Sequence, residues 1–321
     1  MPRLIVINKR DKDEFDFYKT FGELKEKFGN KLVPFSWPIT TEIDEELKEA
    51  IASTDDELME KYFSGEEFTD EEFNKGLSAG IGEGDIVPVI TCSALEGTGI
   101  KESLQTFIDL VPKPTDHTPY AAKNDADEDI EVTCNANGSP AALIFKTVAD
   151  QVLGKISFAK IISGTFKSGQ EAYNVQSEKA EKLGTMFFLR GKNREDASEA
   201  SAGDVVAFAK LQNTRTGDTL CDKNNIIKLP PIEFPQPTLY IAVEPKSKGD
   251  EEKVGTGLNG LMEEDPSFVL ERNNETHQTL LGGQGEMQLN IIKSKLKDKF
   301  GVDVEAVPRK IAYRETIKGT S

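Results

Sequence analysis

The sequence is poor in the two residue types that most often build covalent or metal cross-links. Its 321 residues contain three cysteines and two histidines, and no Cys-x-x-Cys pair. Because Cys92, Cys134 and Cys221 stand far apart along the chain, they indicate neither a disulfide framework nor a zinc site. His117 and His277 are too few and too distant from each other for a metal site. We therefore expect no metal ligands and a reducing compartment, the cytoplasm.

Long apolar runs are also missing. No segment approaches the roughly 18–20 apolar residues that a membrane-spanning helix needs, and the N-terminus has no basic stretch followed by an apolar one. The chain shows no Ser/His/Asp or Cys/His set for nucleophilic catalysis. We expect a cytoplasmic protein that contacts no membrane and has no catalytic residues of its own.

Positive charge is scarce as well. The net charge is −17, and residues 1–115 hold 13 Lys/Arg against 25 Asp/Glu. Such a balance opposes non-specific binding of nucleic acid. Any RNA contact must come from a local basic patch, for which Arg190, Lys192 and Arg194 in one predicted loop are the candidates. A solvated basic loop explains these three residues equally well.

Residues 1–115 alternate strands with helices. Apolar residues predict buried strands at 3–7 and 85–94, and helical spacing predicts a helix at 15–29. The acidic stretch between them predicts helices with a solvated face. This alternation is typical of a parallel sheet with crossover helices. Since two strands alone cannot cover their faces and edges, we expect the C-terminal part of a larger sheet.

Two further domains are predicted after proline-rich boundaries. Residues 116–230 hold many short β segments separated by glycines, which indicates a closed β-barrel. Residues 231–307 follow the order β-α-β-β-α-β of a ferredoxin-like domain, and residues 308–321 begin another strand. The predicted fold class is therefore multi-domain: a partial α/β parallel sheet, an all-β barrel and an α+β ferredoxin-like domain.

The two strand ends of the first domain carry a candidate guanine site. Its residues are Asn8, Lys9 and Asp11, in an Asn-Lys-x-Asp pattern, with Ser93, Ala94 and Leu95. Aspartate accepts both guanine donors, N1–H and the N2 amine, whereas adenine presents the wrong pattern. We expect Lys9 to lay its stem along the base and sugar, and the Ala94 N–H to meet guanine O6. An ordinary polar turn is the competing interpretation, but two such loops at strand ends favour the guanine site.

Six longer motifs occur in order along the chain: ELMEKYFSGEEFT, TGDTLCD, EFPQPTLYIAVEPKSKGDEEKVG, MEEDPSF, GQGEMQL and AYRETI. Together they resemble bacterial elongation factor G, a translational GTPase, or one of its elongation factor G-like paralogues. The resemblance implies that residues 1–115 are the C-terminal part of a GTP-binding domain with a shortened insert. It also implies that 116–230 are the barrel second domain, 231–307 the third domain, and 308–321 the first strand of a fourth.

The resemblance further implies a longer factor, with its phosphate loop, switch segments and metal-binding loop before Met1 and more domains after Ser321. That factor would bind GTP or GDP with Mg²⁺ and would promote GTP-dependent movement of tRNA and mRNA on the ribosome. For this chain alone we expect no GTP hydrolysis and no tight nucleotide binding, because the phosphate-binding loop supplies most of the affinity. We also expect a monomer.

Three departures from the family pattern point towards the elongation factor G-like paralogues. The insert is shortened, or residues are absent, near Ile39–Thr40. The barrel loop is FLRGKNRED where the main translocase usually has His-Ala-Asn, and Gln288 stands where the family usually has histidine. Two other functions stay open. One is a ribosome- or protein-binding module without nucleotide chemistry, and the other is a sister GTPase such as a ribosomal protection protein or a release factor.

Overall fold

The computed structural model describes residues 2–35, 41–116, 118–150, 153–313 and 319. The chain divides into two units, Met1–His117 and Thr118–Ser321. Within the described ranges, no helix combines the length and the apolar character that crossing a membrane requires.

The first unit is built on a three-stranded parallel sheet in the order β1-β3-β2. Its strands are β1 (Ile5–Ile7), β2 (Leu32–Pro34) and β3 (Val87–Thr91). The expectation of only two strands is wrong, because β2 pairs with β3. Pro34 is tolerated there since β2 lies at the sheet edge, where a missing N–H interrupts no ladder. The predicted shortening near Ile39–Thr40 falls outside the described residues.

Five helices are described in the first unit. They are α1 (Phe17–Phe28), α2 (Thr41–Ala52), α3 (Asp56–Ser64), α4 (Asp70–Glu83) and α5 (Ile100–Leu110). Local side chains fix where they begin: Asp16 accepts a hydrogen bond from the Lys19 N–H, and Thr69 with Glu72 forms a capping box at α4. The acidic side chains of α3 are exposed, as the sequence predicts. Its buried Leu58 joins a core with residues of α2 and α4.

The second unit begins with the strands of the barrel region. They are β4 (Tyr120–Lys123), β5 (Asp129–Val132), β6 (Ala141–Asp150), β7 (Gly154–Ser163), β8 (Thr165–Lys167), β9 (Glu171–Asn174), β10 (Lys179–Lys182), β11 (Met186–Arg190), β12 (Asn193–Asp196), β13 (Glu199–Ser201), β14 (Val205–Ala209) and β15 (Thr219–Cys221). Eight of them form one sheet in the order β10-β9-β15-β6-β7-β14-β11-β12. Strands β8 and β13 form a separate two-stranded ribbon, as do β4 and β5.

The barrel region is completed by side-chain packing. Among the described residues, the paired strands run from β10 to β12 without joining those two ends. The ribbon β8–β13 contributes Phe166 and Ala200 to the same core that Ile144, Ile161 and Phe208 of the large sheet occupy. The region is therefore barrel-like, as predicted, and side-chain packing links the ribbon to the large sheet.

The β-α-β-β-α-β prediction for the next region is confirmed. Its elements are β16 (Leu239–Pro245), α6 (Glu251–Glu264), β17 (Val269–Asn273), β18 (Gln278–Gly283), α7 (Glu286–Phe300) and β19 (Val304–Val307). The four strands form an antiparallel sheet in the order β17-β18-β16-β19. Both helices pack on it through one apolar core that includes Leu258, Leu281 and Leu296. The predicted multi-domain fold class, α/β with all-β and α+β parts, is likewise confirmed.

Polar contacts join the barrel region to the ferredoxin-like domain inside the second unit. The Ala149 N–H of β6 donates to Glu264 Oε1 at 2.7 Å, and the same oxygen lies 2.6 Å from Lys299 Nζ of α7. Lys155 of β7 forms a second link, an ion pair with Glu263 at 3.1 Å. We call these contacts the barrel–α6 seam.

The strand predicted in 308–321 is not formed at residues 308–313. Residues 308–313 have no regular secondary structure. Their backbone instead contacts Gln278, whose side chain donates to Pro308 O at 3.0 Å and accepts from the Lys310 N–H at 2.8 Å. Apart from Gly319, the remainder of that prediction falls outside the described residues.

Candidate functional site

The two predicted guanine loops meet at one edge of the sheet. Strands β1 and β3 are neighbours and parallel, with Ile7 paired to Thr91, so their carboxyl ends point the same way. Backbone bonds extend the pairing past the strands: the Cys92 N–H donates to Ile7 O at 2.9 Å, and the Arg10 N–H to Cys92 O at 3.2 Å. The loop after β1 is thereby held against the loop after β3.

Asn8 ties the two loops together. Its Oδ1 accepts hydrogen bonds from the Ala94 N–H at 3.0 Å and from the Lys9 N–H at 2.7 Å, and it lies 3.7 Å from Cys92 Sγ. The Ala94 N–H, which we expected to meet guanine O6, is therefore donated to Asn8 in this structure. Asn8 is exposed, and its amide nitrogen forms no hydrogen bond among the described residues.

Asp11 is held by a buried serine. Ser93, which is fully buried, donates its hydroxyl to Asp11 Oδ1 at 2.6 Å and accepts from the Glu96 N–H at 3.2 Å. The hydrogen bond from Ser93, aided by the Asp11 backbone and by nearby Lys12 and Lys9, holds the pKa of Asp11 below its ordinary value. The carboxylate is thus charged, and Ser93 orients it through Oδ1.

The other two predicted residues lie at the rim. Lys9 is exposed and adopts a left-handed backbone with φ 67°, a conformation uncommon outside glycine. Its carbonyl accepts from the Lys12 N–H at 3.1 Å, which closes the turn. Leu95 is 84% exposed. Among the described residues neither side chain forms a hydrogen bond or an ion pair, and their roles towards a base stay predictions.

Three further residues support the second loop, and the roles of Thr98 and Gly99 were not predicted from the sequence. Cys92 places its thiol against Asn8, the Thr98 carbonyl accepts the Ser93 N–H at 2.8 Å, and Gly99 is the N-cap of α5. Gly99 has φ +75°, and a Cβ there would lie 2.6 Å from Thr91 O. Only glycine fits both conditions, so the Gly-Thr-Gly run after the strand was the available signal.

The described ranges contain no group of three or more His, Cys, Asp or Glu side chains able to hold a metal ion. For these residues the guanine base and Mg²⁺ both stay predictions.

The basic loop between β11 and β12 is largely paired within itself. Arg190 lies 3.4 Å from Glu195, and Arg194 lies 2.6 Å from Asp196 and packs over the Phe187 ring. These contacts are consistent with a solvated, self-neutralised hairpin.

Comparisons with known proteins agree with this architecture. Residues 139–223 match the family described as elongation factor G domain 2, and residues 234–308 match elongation factor G domain III. A crystal structure of a protein from Thermus thermophilus is similar over 99% of this chain and 51% of that one, with a TM-score of 0.80 and 27% identity. The chain thus spans about half the length of that relative. These matches support a chain of the elongation factor G type, since two of that family's domains follow one another here in order.

Proposed function

We propose that this chain serves a GTP-dependent factor that promotes movement of tRNA and mRNA on the ribosome in the cytoplasm. Its part would be to select guanine through the two loops after β1 and β3, and to dock on the ribosome through its second and third domains. The observation that carries the proposal is the pairing of Asn8 with Ala94, and of Asp11 with Ser93, in a chain of the elongation factor G type.

The chemistry of the site favours guanine over adenine. With its pKa lowered, Asp11 is a carboxylate near neutral pH and accepts from guanine N1–H and the N2 amine. Adenine would turn the N1 lone pair towards that charge, which leaves a carboxylate unpaired. The free amide nitrogen of Asn8 adds a donor for an acceptor on the base.

The affinity of this chain for a nucleotide is expected to be low. One bidentate contact and some stacking supply only a few kcal/mol, so the dissociation constant for GDP should be on the order of 1 mM. The phosphates gain little from a segment with 13 Lys/Arg and 25 Asp/Glu. Selectivity between bases is therefore the informative quantity, rather than affinity.

A base-swap experiment tests the guanine site. GDP, ADP and xanthosine diphosphate are titrated by NMR into the wild-type chain and into Asp11→Asn. We expect the wild type to prefer GDP over ADP by about tenfold. Asp11→Asn should shift the preference to the xanthine nucleotide, because the new amide donates to the oxygen that replaces the guanine amine.

The matched control is Asp13→Asn, which removes the same charge from an exposed position of the same loop. It should behave as the wild type does. Equal binding of GDP and ADP by the wild type, or equal behaviour of the two variants, would overturn guanine selection at this edge.

A further inference from the structure

A polar cavity of about 410 Å³ lies in the second unit at the barrel–α6 seam. It opens among the β9–β10 turn, the β14–β15 loop, the start of β7 and the last turn of α6. Lys155, Lys179 and Arg215 lie around it with Ser177 and Glu263, and the rest of its lining is also polar or charged. The guanine loops belong to the other unit and contribute nothing to this lining.

Both carboxylates of the cavity accept hydrogen bonds or form an ion pair, whereas two of its cations have no ion-pair partner among the described residues. Asp218 accepts from Asn174 Nδ2 at 2.8 Å and from the Arg215 N–H at 2.7 Å, and Glu263 pairs with Lys155. Lys179 Nζ reaches only the neutral Asn213 Oδ1, at 3.4 Å. Within the described residues, the Arg215 guanidinium has neither a hydrogen bond nor an ion pair. The lining therefore holds three cations and two carboxylates, a net charge of +1, and two of the cations are left without an ion-pair partner.

A buried hydroxyl adds a donor without a partner. Ser177 Oγ is buried and makes no hydrogen bond in the structure, although nearly all buried polar atoms of folded proteins are paired. The Ser177 N–H is used, since it donates to Asn174 Oδ1 at 3.0 Å. An unpaired hydroxyl destabilises a fold, and an acceptor atom of a ligand in the cavity would satisfy it.

We propose that this cavity binds a ribose-phosphate group, with the phosphate between Lys179 and Arg215 and a hydrogen bond from Ser177. Guanidinium and ammonium groups are the preferred partners of phosphate oxygens. The cavity lining has no aromatic side chain on which a base could stack, so the backbone of a nucleic acid fits better than its bases. The same chemistry is offered by an RNA backbone and by a free phosphorylated sugar. The site is independent of guanine selection at Asp11.

The test uses two probes with the full chain. Ribose 5-phosphate is titrated by NMR, following the amides of 176–179 and 212–215, and a labelled ten-nucleotide RNA is titrated by fluorescence anisotropy. Arg215→Gln and Lys179→Gln should each weaken binding about tenfold, since each removes one charge-assisted contact. If the variants lose affinity for both probes, the site binds the ribose-phosphate group that the probes share. If they lose affinity for only one probe, that probe identifies the source of the ligand.

Two variants make the result decisive. Lys223→Gln removes a charge from an exposed turn of the same region outside the cavity, and it should leave both affinities unchanged. Ser177→Ala should weaken binding while leaving the thermal stability of the free chain unchanged or raised, because it deletes an unsatisfied donor. The proposal is overturned if neither probe perturbs the cavity amides, or if Arg215→Gln binds as Lys223→Gln does.

Discussion

Glu264 is the side chain whose removal should most weaken the barrel–α6 seam. It is 9% exposed, and its Oε1 accepts from the Ala149 N–H at 2.7 Å while pairing with Lys299 Nζ at 2.6 Å. Glu264→Ala therefore removes two interactions at once and leaves a backbone donor of β6 without a partner. Its neighbour Glu263 makes only the ion pair with Lys155 and is 47% exposed.

The magnitude follows from these contacts. An unsatisfied, partly buried N–H costs about 1–2 kcal/mol, and an ion pair whose lysine is 34% exposed adds up to about 1 kcal/mol after screening. Glu264→Ala should thus destabilise the second unit by about 1–3 kcal/mol, which lowers Tm by about 2–12 °C for a unit of this size. Glu264→Gln keeps an acceptor for Ala149 and should cost about 1 kcal/mol.

The assay combines urea denaturation, followed by circular dichroism, with hydrogen exchange of the peptide that contains Ala149. Glu263→Gln is the matched control and should cost less than about 1 kcal/mol. Exchange at Ala149 should accelerate in Glu264→Ala and stay slow in the control. If both variants unfold at the same urea concentration, with Ala149 equally protected, the account of this seam is wrong.

Three further predictions concern the first unit. A hydrogen bond from Lys61 of α3 lowers the pKa of Glu72 from 4.5 to about 2. The stability that ionised Glu72 supplies is therefore complete above pH 4.5 and is lost as pH falls towards 2. In Glu72→Gln the urea midpoint of unfolding should depend less on pH between 4.5 and 2 than in the wild type. An unchanged pH dependence would contradict this role of Glu72. Gly99→Ala should lower Tm more than Gly97→Ala, because both have φ +75° but only a Cβ on Gly99 meets a β3 carbonyl; equal shifts would refute the steric argument. Ser93→Ala should raise the pKa of Asp11 towards its ordinary value in a carboxyl NMR titration, and an unmoved pKa would show that the serine hydroxyl is not its main cause.

Long, periodic elements could be predicted from the sequence, and short ones could not. Helices α1 and α5 and the order of the ferredoxin-like domain follow from apolar spacing that persists over several turns or strands. Strand β2 has three residues and ends in proline, and all four residues of β12 are exposed. Such segments carry no alternation of apolar and polar side chains, because neighbouring strands decide whether they pair.

The candidate site was predictable in its residues but not in its contacts. The apolar runs before Asn8 and Ser93 place both loops at the end of parallel strands, which is enough to bring them together. The bond from Ala94 to Asn8 depends on the register of β1 against β3, with Ile7 opposite Thr91. Register is a tertiary property, so the occupation of the Ala94 N–H could not be deduced from either loop alone.

The wide sequence separation of the two loops bears on how the site assembles during folding. Its side-chain bonds join residues 82 and 86 positions apart, so closing them requires the chain to order everything between, whereas α2–α4 need only near neighbours. Contacts of long separation cost more closure entropy and form later. The three helices should consequently gain structure before the guanine loops meet. A base bound to those loops would then stabilise contacts that form last in folding. It would slow the unfolding of the sheet more than the unfolding of the helices.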